Sequence, residues 1–172
     1  NTNASTFTVT VTDAEAPVIS ACAPAVTIDV DTNTCQVEIP NLTTNVVASD
    51  TCGTVTITQQ PPAGTLVGVG VTNVTLVVKD AANNESSCVV VVTVTDPVTN
   101  IVLTMTYAAP DMTLTWPKTC ADWKLQQTPS LNTPITWNDS TNTPVLGVDT
   151  WKVVVPANTG SNLFYQLKRN LP

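Results

Sequence analysis

Apolar and polar positions alternate along most of this chain. From Thr6 to Thr12 the sequence TFTVTVT is apolar at every second residue. An extended backbone therefore puts Phe7, Val9 and Val11 on one face and Thr6, Thr8, Thr10 and Thr12 on the other. The same period of two returns at 26–30, 35–39, 54–59, 71–79 and 88–95, and no segment carries the 3.6-residue period of an amphipathic helix. Turn-forming clusters separate the runs: Asp31-Thr32-Asn33, Asp50-Thr51-Cys52-Gly53, Pro61-Pro62-Ala63-Gly64 and Asp80-Ala81-Ala82-Asn83-Asn84. Short strands punctuated in this way predict a β-sandwich.

Further strands are expected at 101–107, 112–116, 123–127, 135–137, 150–155 and 163–167, but the apolar positions there are filled differently. Between Ala14 and Pro97 there is no aromatic residue, whereas all four tryptophans (Trp116, Trp123, Trp137, Trp151) lie beyond Pro97, with Tyr107, Phe164 and Tyr165. Two cores of different material predict two domains, 14–96 and 97–172, joined at Pro97 and preceded by a strand, 1–13, with no domain of its own. A small aliphatic core needs covalent help; an aromatic one buries more area per residue.

The N-terminal strand also echoes a later one. Thr8-Val9-Thr10-Val11-Thr12-Asp13 parallels Val91-Val92-Thr93-Val94-Thr95-Asp96, about one small domain further on. The chain is thus expected to open with the closing strand of a sandwich whose body it lacks. On this alignment Ser5 falls opposite Cys88.

Composition narrows the function. Of 172 residues 42% are apolar, 11% are charged and about a fifth are Thr. This suits strands and argues against disorder. The net charge of −7 speaks against nucleic acid and against anionic membrane surfaces, and no apolar run reaches membrane-spanning length. Five cysteines with no histidine point to disulfides rather than zinc, and so to an extracellular or cell-surface, secreted protein. Without histidine, Ser-His-Asp and Cys-His catalysis is excluded, and the thirteen carboxylates are dispersed among turns. No enzyme is expected.

Residues 14–96 resemble the hyalin repeat (HYR) module, an immunoglobulin-like adhesive domain. The pieces that match are Ala16-Pro17-Val18-Ile19 leading to Cys22-Ala23-Pro24, Cys35 with Val37, and Ala48-Ser49-Asp50-Thr51-Cys52-Gly53. They continue with Pro62-Ala63-Gly64-Thr65, Val67-Gly68, Val71-Thr72-Asn73-Val74-Thr75, Asp80-Ala81-Ala82-Asn83-Asn84 and Cys88. Ala23 interrupts the usual Cys-Pro, and Asn83 stands where a glycine is common. Residues 97–172 resemble C-terminal β-sandwich modules of secreted bacterial proteins, through Leu114-Thr115-Trp116-Pro117, Leu125-Gln126, Leu131, Trp137 and Phe164-Tyr165-Gln166-Leu167. Together they imply an all-β fold, two tandem immunoglobulin/fibronectin-like β-sandwiches with an extra N-terminal β-strand.

The HYR resemblance implies the disulfides Cys22–Cys88 and Cys35–Cys52, the second closing a loop of roughly 17 residues worth about 3 kcal/mol on a chain-entropy basis. That leaves Cys120 as a small buried residue or an intermolecular partner. No cofactor is expected; the one metal weighed is Ca²⁺, at a gathering of the turn acids Asp13, Glu15, Asp29, Asp31, Asp50, Asp80 and Asp96, whose commoner fate is solvation. The tryptophans would make either a sugar-binding platform or, more commonly, core. Glycosylation sequons occur at Asn3, Asn41, Asn73, Asn84 and Asn138.

The expected function is a non-enzymatic structural or adhesive surface protein, a filament subunit that self-associates by donating residues 1–13, with Ser5, Phe7, Val9 and Val11 at the interface. Two alternatives stand beside it. One is a spacer or adhesion segment of a larger surface protein, meeting surface glycans or other cell-surface proteins. The other is a carbohydrate-binding module. Nucleic acid and membrane insertion are not expected.

Overall fold

A computed structural model describes residues 4–157 and 162–169. It is all-β: no α-helix occurs among these residues, and no helix is long and apolar enough to cross a membrane. The chain divides into two units. Unit 1 is Asn1–Asp29 with Gln36–Thr95, and unit 2 is Asp96–Pro172 with the short stretch Val30–Cys35.

Unit 1 is organised by its longest hairpin. The period-two runs become β7 (Gly70–Lys79) and β8 (Glu85–Thr95), antiparallel with Val74 opposite Val90 and Thr72 opposite Val92; the earlier β1 to β6 are Val18–Ala21, Val26–Asp29, Val37–Glu38, Val47–Ser49, Thr56–Gln60 and Leu66–Val67. Because the pleat puts every second residue on one face, Val74, Leu76 and Val78 line up with Val90, Val92 and Val94, each at most 2% exposed. Burying each such side chain contributes about 1.5–3 kcal/mol. β5 extends this sheet antiparallel to β7, and β2 adds parallel to β8, giving the order β2-β8-β7-β5. β1 pairs instead with β4, and β3 with β6. The chain therefore changes sheets between β1 and β2, and Ile39, Leu42 and Val46 close the core.

Unit 2 packs two sheets on each other. β9 to β15 are Thr104–Ala108, Asp111–Pro117, Trp123–Thr128, Asn138–Asp139, Val145–Leu146, Thr150–Pro156 and Phe164–Arg169. The first sheet has the order β13-β14-β10-β9 and the second β12-β11-β15. Leu114 and Trp116 of β10, Val153 and Val155 of β14 and Leu125 of β11 form the core, with Trp123, Trp151, Tyr165 and Leu167 packed against it. The aromatic composition read from the sequence thus becomes the filling between the sheets.

Three expected strands differ. The run 6–12 forms no strand: residues 4–17 make no ladder among the described residues. Alternation supplies a face, but a strand also needs a partner edge. The run 35–39 shrinks to Val37–Glu38 because residues 31–35 turn tightly, with the Cys35 N–H donating to the Asp31 carbonyl at 2.7 Å and Cys35 at φ +55°. The run 135–137 is displaced to Asn138–Asp139, where the Asp139 carboxylate accepts from Gln126 Nε2 at 3.0 Å across the ladder with β11.

Candidate functional site

The alternating N-terminal segment leaves unit 1 at a pinned root. The Asp13 carbonyl accepts from Asn84 Nδ2 at 3.4 Å, Asp13 Oδ1 accepts from the Glu15 N–H, and Glu15 Oε2 accepts from the Thr51 hydroxyl at 3.1 Å. Upstream of that root the backbone carries its apolar residues in the open: Phe7 is 87%, Val9 71% and Val11 90% exposed, and Ser5 is exposed as well. On the internal repeat these three align with Val90, Val92 and Val94, the buried row of β8. One sequence pattern thus occurs twice, once in a core and once with nothing covering it among the described residues.

The cysteine framework agrees with the expected pairing at one bridge and departs from it at the other. Cys22, in the crossing between β1 and β2, is bonded to Cys88 on β8, so the sheet switch is tied to the closing strand. Cys35 does not pair with Cys52; it is bonded to Cys120, with Cα atoms 5.3 Å apart, and Cys52 is free and exposed. The reason is local. The turn at 31–35 takes Cys35 out of unit 1, and Val30–Cys35 belongs to unit 2, where Cys120 lies within bridging range. Cys120 is accordingly a disulfide partner rather than a buried thiol or an intermolecular one. In the same unit the Cys120 N–H donates to Asp96 Oδ2 at 2.8 Å and Lys118 Nζ donates to Asn33 Oδ1 at 3.0 Å. The signals for this pairing in the sequence were the leftover Cys120 and the turn residues just before Cys35.

The turn acids do not gather into one site. Asp31, Asp50 and Asp96 accept backbone N–H groups of their own turns, from Asn33, Cys52 and Val98, and Asp29 accepts the Thr95 hydroxyl. Asp80 is buried at the β7–β8 turn. Burial alone would raise its pKa, but hydrogen bonds from the Asn84 side chain and from the backbone of Asn84, Ala82 and Asn83 outweigh it and hold the carboxyl below its ordinary range. Asp13 and Asp50 do approach each other, with Cys52 as third member and ligand atoms within 4.8 Å. Two carboxylates and a thiol do not make the all-oxygen cage of six to eight ligands that Ca²⁺ takes.

Trp116 is buried, and Trp123 and Trp151 pack against the same core. Around them, within unit 2, lies a cleft of about 540 Å³ whose polar lining includes Asp122, Lys124 and Asp139. Gln126 and Lys124 donate to Asp139 and hold its carboxyl below the usual range. The indole N–H groups of Trp116 and Trp123 are buried without a partner among the described residues.

Of the sequons, Asn3 lies outside the described residues. Asn41, Asn73 and Asn138 are exposed, and Asn41 Oδ1 accepts from the Thr43 N–H and hydroxyl. Asn84 is half-buried, and its amide nitrogen donates to Asp80 Oδ2 and the Asp13 carbonyl.

Residues 12–94 match the family model of the HYR domain, an extracellular immunoglobulin-like module of adhesive type. No curated protein and no solved structure matches the chain.

Proposed function

We propose that this chain is a non-enzymatic, extracellular structural and adhesive protein that self-associates head to tail, residues 1–13 supplying a β-strand to a neighbouring copy. One observation carries the reading: Phe7, Val9 and Val11 lie exposed, while their counterparts in the repeat are core. Burying three such side chains contributes on the order of 5–8 kcal/mol before ordering costs, and a new backbone ladder adds to it. An alternating strand left in water is an aggregation hazard that pairing removes. The adhesive character of the HYR match supports a surface role for the assembly.

The test is size. Sedimentation velocity at rising concentration should show open-ended association of the full chain. Deleting residues 1–13 should leave a folded monomer, and Val9→Asp should do nearly the same. A full chain that stays monomeric at all concentrations would favour the spacer or adhesion segment instead.

A second reading rests on the cleft in unit 2. Its tryptophan walls, with Asp122, Lys124 and Asp139 at hand, suit the mixed apolar and hydroxyl surface of a sugar. A glycan-binding screen of the wild type against Trp151→Ala decides it, since a sugar site in the cleft loses its signal in the variant.

A further inference from the structure

Residues 4–12 resemble β8 of unit 1, and no counterpart of β8 is paired in unit 2 among the described residues. In unit 1 the antiparallel pair β5–β7 is continued by β8 on the far edge of β7. In unit 2 the corresponding antiparallel pair β11–β15 ends at β15, and the far edge of β15 carries no strand among the described residues. The facing sheet has a free edge as well. Four strands lie against three, and β9 is the edge strand. Met105 of β9 stands directly opposite Leu114, and Tyr107 opposite Met112, so both project from the core face of the sheet. Yet they are 63% and 69% exposed. A side chain on the core face of a sandwich is solvated to that extent only where no strand covers it.

The same chain therefore holds a sheet edge that no described residue pairs and, at 4–12, a copy of the closing strand of its other unit. We infer that residues 5–12 of one copy dock along the free edge of β15 in unit 2 of a second copy, laying Phe7, Val9 and Val11 against Met105 and Tyr107. The pairing with β15 is antiparallel, as that of β8 with β7 is. This inference rests on the strand-donation reading above and names its acceptor. The chemistry is matched: residues 4–12 contain no charged side chain and neither do Met105 and Tyr107, while the charges of β15, Lys168 and Arg169, are exposed at its C-terminal end. Donor and acceptor are different surfaces of one molecule, so the contact is heterologous, and each copy that accepts a strand still offers its own.

Cysteine trapping in the full chain tests this. Val9→Cys and Met105→Cys are combined in a Cys52→Ser background, oxidised with diamide and run on a non-reducing gel. A ladder of dimers and higher species is expected, absent from either single cysteine. A second measurement titrates a fluorescein-labelled peptide of residues 4–13 into the chain lacking residues 1–13. Binding should weaken roughly 30-fold or more in Tyr107→Lys. Tyr107 is exposed, so this variant should keep the parent's melting temperature. An internally cross-linked monomer would overturn the second copy as occupant. If trapping fails and Tyr107→Lys binds the peptide as well as its parent, while Val9→Asp still abolishes assembly, the acceptor lies elsewhere and strand donation stands. Assembly indifferent to both Val9→Asp and the deletion removes the strand-donation reading, and this inference with it.

Discussion

At the scale of single residues the β7–β8 turn carries the most local information. Asn83 has φ +74°, a left-handed conformation that glycine adopts freely and Asn tolerates better than other side chains. The sequence resemblance noted a glycine as common at that position, and the backbone supplies the reason. Asn83→Gly should leave unit 1 within about 0.5 kcal/mol of the parent, and Asn83→Val should cost about 1–2 kcal/mol in urea unfolding. Asp80 next to it gives the turn a pH dependence. Its folded pKa is depressed, so the stability it contributes is present above the ordinary carboxylate value and is lost as pH falls through the lower folded value. Melts from about pH 4 down to about pH 2 should show that loss, and in Asp80→Asn the slope should be shallower. The cysteines separate by role. Replacing Cys22 and Cys88 together by Ala should destabilise unit 1 by about 2–5 kcal/mol, because the bridge closes a separation of 66 residues. Cys52→Ser, at an exposed free thiol, should change the melt little.

At the scale of elements, one pattern has two fates. Residues 7, 9 and 11 and residues 90, 92 and 94 are the same alternation, but only the second set has neighbours: β7 on one side, β2 on the other and a core beneath. The same substitution should therefore have opposite consequences. Val92→Asp puts a charge in the core of unit 1 and should prevent its folding. Val9→Asp should leave the monomer's chemical denaturation curve within about 0.5 kcal/mol of the parent while abolishing association. A Val9→Asp chain that unfolds like Val92→Asp would mean that the segment packs on its own unit.

At the scale of the whole molecule, the proposed donor strand and acceptor seam would give assembly a direction. A chain lacking residues 1–13 keeps the seam but has no strand to give, so it should cap a growing polymer at one end. Added at a few per cent of the full chain, it should shorten the polymers seen by electron microscopy. A Met105→Lys and Tyr107→Lys double variant keeps its strand and should cap the opposite end. Mixed together, these two defective chains should form dimers and stop there, since one retains only the acceptor and the other only the donor.

Which residues face inward once a strand forms follows from the order of residues alone. Alternation placed Val90, Val92 and Val94 on one face of 88–95, the turn clusters bounded the hairpin, and the aromatic divide after Pro97 assigned the tryptophans to the second core. These are local properties, because the pleat of an extended chain repeats every two residues whatever it pairs with. Which segments pair is settled in the folded chain instead. The leftover Cys120 and the turn before Cys35 point toward their pairing without deciding it, and the order of residues does not show that the alternating run 6–12 finds no ladder among the described residues or that β9 stands with its core face open. Each of these depends on segments far apart in sequence reaching the same place, and two-residue periodicity carries no information about distance along the chain.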